Sequence, residues 1–306
     1  MNQVLKSIIA KQRKDFEALC ADRTVPKSAW EGVSVFHNLQ YIKDNDPAHR
    51  LDLYCPRTAP TPTPVIVNVH GGGLIMGNKE FNQYFCLNLC KMGYLVFSVE
   101  YRLCPEATVF QQLQDIYSAM NYIDDMLPQL KAELGQCYLV GDSAGAMLSL
   151  YAAAIQRNPK LAQAAGVQPS YLEIRSMALI SGMFYTIRKD SIGLLLPKAF
   201  YGEDYKEHPF YPYLNPEHME VSGYLPASIM ITSGRDNLRK HTYRLSEVVR
   251  KNGSTCYLRD FGSLPVLTHA FSVFKPGLPE SKEVIENIAT FFAGHRCNLS
   301  QNCIIY

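Results

Sequence analysis

With 306 residues, 47% of them hydrophobic, the chain can bury a large core; that length suits one α/β domain with an insertion as well as two smaller domains. A formal charge of +2, with basic residues scattered along the chain, gives no electrostatic basis for a nucleic-acid or polyanion site. No segment approaches the roughly 18 uninterrupted apolar residues of a membrane span, so stable membrane insertion is not expected.

The first segment, Met1 to Leu19, places Val4, Leu5, Ile8, Ile9, Phe16 and Leu19 at helical spacing among charged residues. It lacks the continuous apolar core and small-residue cleavage site of a signal peptide, and is read as an amphipathic helix of a cytoplasmic protein. Leu39–Ile42 and Leu51–Tyr54 flank the turn-rich stretch Asp44–His49 and predict an antiparallel hairpin. The proline-rich run Thr58–Pro64 is a surface link. From there the pattern alternates. Val65–His70, Leu95–Val99, Tyr138–Gly141, Met177–Ile180 and Ile229–Thr232 are short, β-rich apolar runs. Helical segments lie between several of them, over Phe81–Met92, Gln111–Met126, Ala144–Gln156 and Thr242–Lys251, and Glu280–Phe292 supplies a closing helix. Strands apolar on both faces and separated by helices predict a mostly parallel sheet covered by helices on both sides. The nine cysteines, Cys20 to Cys303, follow no metal-ligand rhythm and are read as reduced, buried thiols.

One region breaks the alternation. Between Met183 and Leu225 lie Phe184, Tyr185, Phe200, Tyr201, Tyr205, Phe210, Tyr211, Tyr213 and Tyr224, too long and too aromatic for a plain connection. It is read as a lid completed by the N-terminal helix; the alternative is an excursion that packs on the core. The organisation expected is a single domain over residues 1–306 with cap elements from 1–35 and 183–225.

The chemistry gathers at glycines. Gly141-Asp142-Ser143-Ala144-Gly145 follows an apolar strand and opens a helix, a context in which a sharp turn exposes the serine hydroxyl. The positive end of that helix favours a developing oxyanion. His70-Gly71-Gly72-Gly73 follows the strand Val65–Val69, and its backbone N–H groups, with that of Ala144, can form an oxyanion hole. No G-x-G-x-x-G and no phosphate-loop lysine accompanies the triplet, so a nucleotide cofactor is not expected. No metal is expected either. His70 is read as a brace for its loop.

A serine nucleophile of this kind takes an acid and then a histidine later in the chain. Asp236 lies just beyond the strand Ile229–Thr232, and His269 follows the strand-like Thr255–Arg259 by a loop. His37 and His49 precede the serine; His208 and His218 belong to the insertion. His241 lies five residues from the acid, and His295 ends the last helix. Asp260 is the runner-up acid.

These residues resemble the hormone-sensitive-lipase-like carboxylesterases of the α/β-hydrolase superfamily. The resemblance rests on His70-Gly71-Gly72-Gly73 with Gly77, on Tyr101-Arg102-Leu103 with Pro105-Glu106, and on Gly141-Asp142-Ser143-Ala144-Gly145. It continues through Gly234, Asp236 and Leu238 to His269 with Phe271, covering about Val65 to Phe292. It implies an α/β-hydrolase fold with a small cap and a triad of Ser143, Asp236 and His269. It also implies an oxyanion hole of Gly71, Gly72 and Ala144, metal-independent hydrolysis and a short-chain ester as the small-molecule partner. Arg102 and Glu106 are taken as an ion pair near the glycine loop, and Asp142 as a brace for it.

The chain departs from the family pattern at several points. Leu74 stands where an aromatic often follows the triplet, Lys240 and His241 where acidic residues are common, and Ala270 where glycine is usual; Gly262–Thr268 is a long connection. The rival activities are an amidase, arylformamidase or small peptidase on the same fold, acyl transfer to an alcohol, and a non-catalytic ligand-binding protein. A homodimer is compatible with all of them.

Overall fold

The computed structural model describes residues 3–21, 23–58, 61–188, 192–193 and 196–295. Helix α1 (Gln3–Ala21) and the short α2 (Lys27–Trp30) precede an eight-stranded sheet. Its strands are β1 (Val33–Gln40), β2 (Arg50–Pro56), β3 (Thr63–Val69), β4 (Leu95–Val99), β5 (Ala132–Asp142), β6 (Ile174–Ile180), β7 (Ala227–Thr232) and β8 (Cys256–Asp260). The spatial order is β1-β2-β4-β3-β5-β6-β7-β8. β1 and β2 pair antiparallel, as does β2 with β4, and every pairing from β4 through β3 to β8 is parallel.

A parallel sheet needs cover on both faces because each crossover lays a helix across it. Successive residues of β3 point to opposite faces. Val65, Val67 and Val69 join a core with α4 (Val109–Met126) and α5 (Ala144–Arg157), while Ile66 joins one with α3 (Gln83–Lys91) and α11 (Pro279–Gly294). The expected mostly parallel, doubly covered sheet is present.

The strands were legible in sequence to within a few residues, except β1 and the first half of β5, which begins at Ala132, six residues before the predicted Tyr138. β1 begins at Val33, six residues before the predicted hairpin arm, and carries a register shift between Phe36 and Leu39, where Asn38 has φ 58°. Its edge position leaves Phe36 exposed, so no clean alternation marks it. Between α5 and β6 lies α6 (Pro159–Ala165), unpredicted, capped by the Asn158 side chain on Lys160 N.

The insertion contains α7 (Pro197–Tyr201), two 3₁₀ turns and α8 (Met219–Ser222). Phe184, Phe200, Tyr201 and Phe210 are buried in the same core as α4 and α5. His208 stacks on Phe110 of α4 at 3.5 Å between centroids, and Tyr151 of α5 donates its hydroxyl to Leu214 O at 2.7 Å. After β7 come α9 (Arg239–Lys251) and, following β8, α10 (Phe271–Phe274) before α11. Lys189, Asp190 and the tail carrying Cys297 and Cys303 lie outside the described residues. Among the described residues seven cysteines are unpaired thiols, five of them buried, and no helix is long and apolar enough to cross a membrane.

Candidate active site

Three loops meet at the carboxyl ends of the parallel strands, the edge at which open α/β sheets collect their ligands. The turn after β5 carries Ser143 at φ 52°, ψ −115°, a conformation L-residues rarely adopt. The surroundings hold it there. Ser143 N donates to Ile180 O at 2.8 Å and Met183 N to Ser143 O at 2.9 Å. The turn also needs its glycines, because a Cβ on Gly145 would overlap the carbonyls of Val69 and His70, and one on Gly141 would overlap Gly145. The serine therefore stands at the head of α5, with its backbone position dictated by β3 and β6.

His269 Nε2 lies 2.9 Å from Ser143 Oγ, and His269 Nδ1 lies 2.7 Å from Asp236 Oδ1. Asp236 is almost wholly buried yet fully engaged: Oδ1 also accepts from Leu238 N at 2.9 Å, and Oδ2 accepts from Thr232 Oγ1 at 2.8 Å. Burial alone would raise its pKa, but the bond and charge of His269, with the donors Leu238 and Thr232, outweigh it and hold the carboxyl below its ordinary value. It is an anion aimed at an imidazole. The long connection before the histidine is pinned at both ends, by Gly234 N on Gly262 O and by Ser233 Oγ on Leu267 O at 2.6 Å. Ala270 sits at φ 47°, the left-handed region, which accounts for glycine being usual there, and its N–H is held by Ser181 Oγ at 3.0 Å.

The competing residues are engaged elsewhere. Asp260 accepts from Arg239 Nε at 2.8 Å and Tyr243 Oη at 2.7 Å. His241 packs edge-on against Tyr185. His70 braces its loop through Gly71 O at 2.7 Å and Glu100 Oε1 at 3.2 Å, stacked on Tyr101. Burial would lower its pKa, but Glu100 raises it on balance.

The glycine loop corrects one expectation. Gly71 N donates to Asp142 Oδ1 at 3.0 Å, an oxygen that Asn82 Nδ2 also reaches at 2.8 Å. With its N–H spent on that carboxyl, Gly71 cannot serve as an oxyanion donor; Gly72 and Gly73, which also line the cavity, are the glycines left for the role. Ala144 is the first residue of α5, where an N–H has no intrahelical acceptor. Asp142 thus braces the loop. It is completely enclosed, and burial raises its pKa despite the bonds it accepts. A second correction concerns Arg102 and Glu106, which do not pair with each other: Arg102 binds Asp115 at 2.6 Å, and Glu106 binds Arg13 of α1 at 2.5 Å.

A cavity of about 360 Å³ opens on Ser143 and His269. Its floor is Gly71 to Gly73, and one face of α1 forms its wall through Gln12, Asp15, Phe16 and Leu19. Met76, Phe81 and Phe274 complete it; no described residue of 183–225 lines it. In the sequence the N-terminal helix, with Phe16 and Leu19 among its apolar positions, reads as completing a lid, and it is this helix that lies beside the serine. A larger cavity of about 720 Å³ abuts it across Phe16 and Met76, yet contains neither Ser143 nor His269. No group of three or more potential metal ligands occurs among the described residues.

The chain matches the profile of the alpha/beta hydrolase fold family over residues 66–272. Among solved structures, esterase B from Lactobacillus rhamnosis superposes with a TM-score of 0.84 at 26% identity, covering 94% of this chain and 95% of that one. Its complex with a tributyrin phosphonate gives 0.85 at 25% identity, with 96% of each chain covered. Among curated relatives, a probable isoprenylcysteine alpha-carbonyl methylesterase of Oryza sativa subsp. japonica is 28% identical over 46% of this chain. A carboxylic ester hydrolase of Mycobacterium tuberculosis is 29% identical over 68% of this chain and 57% of its own length. The chain spans about a third or less of the length of the plant methylesterases it matches.

Proposed function

The chain belongs to the α/β-hydrolase fold family, and from that premise we propose that it is a serine hydrolase cleaving short-chain carboxylic esters through an acyl-enzyme. The observation that carries the reading is the unbroken relay Ser143 Oγ, His269, Asp236, with both links inside 3 Å. His269 takes the proton of Ser143 as the oxygen attacks the ester carbonyl, and Asp236 fixes the imidazole tautomer and stabilises the imidazolium. The N–H groups of Gly72, Gly73 and Ala144 receive the oxyanion, each contributing on the order of 10²–10³ in rate. His269 then protonates the departing alcohol, and in the second half-reaction activates the water that releases the acid. With this goes an organisation as one domain with cap elements in 1–35 and 183–225, of which α1 faces the serine. A cavity of about 360 Å³ with three phenylalanines around it suits a small ester with an apolar acyl group.

Profiling against p-nitrophenyl acetate and butyrate, formanilides and peptide amides tests the proposal. Esters should be cleaved with kcat/KM at least a hundredfold above the amides, with full activity in excess chelator. A formanilide turned over faster than any ester would reassign the chain to amide hydrolysis.

A further inference from the structure

We infer that Ser181, in the turn after β6, is a positioning residue of the relay: its hydroxyl fixes the backbone of His269 while the same turn grips Ser143, so that one short segment sets the distance between nucleophile and base. The inference rests on the acyl-enzyme reading and adds a residue to its machinery.

Six non-glycine residues among the described residues have positive φ, and three of them meet here: Ser143 at 52°, Ser181 at 51° and Ala270 at 47°. Such conformations cost energy and persist only where the surroundings over-determine them. These three hold one another. Ile180 O accepts from Ser143 N at 2.8 Å and Met183 N donates to Ser143 O at 2.9 Å, so the turn over 180–183 grips the nucleophile's backbone from both sides. Between those two contacts, Ser181 Oγ accepts from Ala270 N at 3.0 Å. Ser181 N in turn donates to Ile231 O of β7 at 2.8 Å, one residue before the Thr232 whose hydroxyl bonds Asp236. The turn therefore touches the serine, the residue after the histidine and the strand that leads to the acid.

The identity of residue 181 carries the argument further. A left-handed backbone favours glycine, yet the chain places a serine there and bears the strain of its Cβ. The hydroxyl has a specific task. Ala270 is completely buried and is the N-cap of α10, where a backbone N–H has no intrahelical acceptor. Without Ser181 Oγ that N–H would be left buried and unpaired, which a shift of its peptide would relieve. The peptide in question joins His269 to Ala270, so any such shift carries the imidazole with it. Both bonds of His269, to Ser143 and to Asp236, depend on where that backbone lies. Ser181 is itself buried and does not line the cavity, so it acts through His269 and not on the substrate.

The test compares p-nitrophenyl butyrate with ethyl butyrate in wild type, Ser181→Gly and Ser181→Ala. Both variants lose the hydroxyl; Gly also frees the backbone, whereas Ala keeps the strained Cβ, so their melting temperatures should differ while their kinetics agree. In each, kcat/KM should fall by about tenfold to a hundredfold. The loss should be larger for ethyl butyrate, because an alkoxide leaves only with a proton from His269 and p-nitrophenolate leaves without one. A residue that merely supported the fold would lower both esters by the same factor. Fluorophosphonate labelling of Ser143, followed as a rate, should slow to a similar extent in both variants. Slowed labelling supports the inference even if wild type cleaves neither ester, an outcome that would fell the ester reading alone. Wild-type kcat/KM in both variants, equal losses on the two esters, or an unchanged labelling rate would overturn it.

Discussion

Two segments flank the strand ends that carry Ser143, and they are attached by opposite means. α1 is a surface helix with Ile9 buried and much of the rest exposed. Its anchors are polar: Arg13 donates to Ile75 O at 2.7 Å and Cys104 O at 2.8 Å and pairs with Glu106, and ten residues on Arg23 donates to Phe81 O and Val273 O. The insertion 183–225 is anchored by buried rings, Phe184, Phe200, Tyr201 and Phe210, sealed against α4 and α5. Among the described residues of the two segments, only those of α1 line the cavity that opens on the serine. The segment with the strongest aromatic signature thus contributes packing, and the lightly held helix contributes the wall. Local stability and function part company here, as they do where a wall must admit a ligand.

The division can be broken at its base first. If chemistry takes place in the cavity under α1, Ser143→Ala should reduce turnover by on the order of 10⁶, and His269→Asn nearly as much. His241→Asn should keep most of its activity. A dead His241→Asn with an active His269→Asn would move the site away from α1 altogether.

The packing half makes a stability prediction. Phe210→Ala removes a ring with no exposed surface and should destabilise the fold by about 3–5 kcal/mol in denaturant unfolding. Phe16→Ala, on the partly exposed face of α1, should cost far less. Equal losses would erase the distinction between the two segments.

The functional half concerns acyl length. Each methylene that finds apolar wall contributes roughly 0.8 kcal/mol, about fourfold in efficiency, until the cavity ends. Efficiency should rise from acetyl to butyryl or hexanoyl esters and then fall, and removal of residues 1–19 should flatten that profile. An unchanged profile in the folded truncated protein would assign the wall to the insertion instead.

Smaller effects sharpen the account of how α1 is held. Arg13→Ala loses an ion pair that is largely exposed and two bonds to carbonyls, so it should loosen α1 by about 1 kcal/mol and raise KM more than it lowers kcat. The pair also sets a pH window. Arg13 holds the Glu106 carboxyl below its ordinary 4.5 against the opposing effect of burial. A depressed carboxyl stabilises above its unfolded value and loses that contribution only as pH falls through the lowered one. Hydrogen exchange in α1, corrected for intrinsic rate, should therefore be flat from pH 8 to pH 5 and rise only below about 4.5. A rise between pH 7 and 6 would mean another group holds the helix.

The sheet was readable because strands buried on both faces leave short, β-branched apolar runs bounded by turn residues. β3 to β8 show it. β1 was misplaced because an edge strand with a bulge exposes Phe36 and breaks the alternation. The relay residues were readable for a different reason: chain order and the glycine motifs restrict the choice, and the geometry brings the same three side chains together. The oxyanion donors were not. Which N–H in a glycine triplet is already spent depends on a partner 71 positions away, Asp142, and no local pattern records that bond. The same holds for Arg102 and Glu106, whose partners Asp115 and Arg13 are set by how α4 and α1 dock.

The central claim is that Ser143, activated by His269 and Asp236, is the nucleophile. Labelling with a fluorophosphonate probe, followed by peptide mapping, tests it most directly. The account predicts stoichiometric modification of Ser143, abolished in Ser143→Ala and strongly slowed in His269→Asn. A label found on one of the cysteines, with Ser143 unmodified, would contradict it.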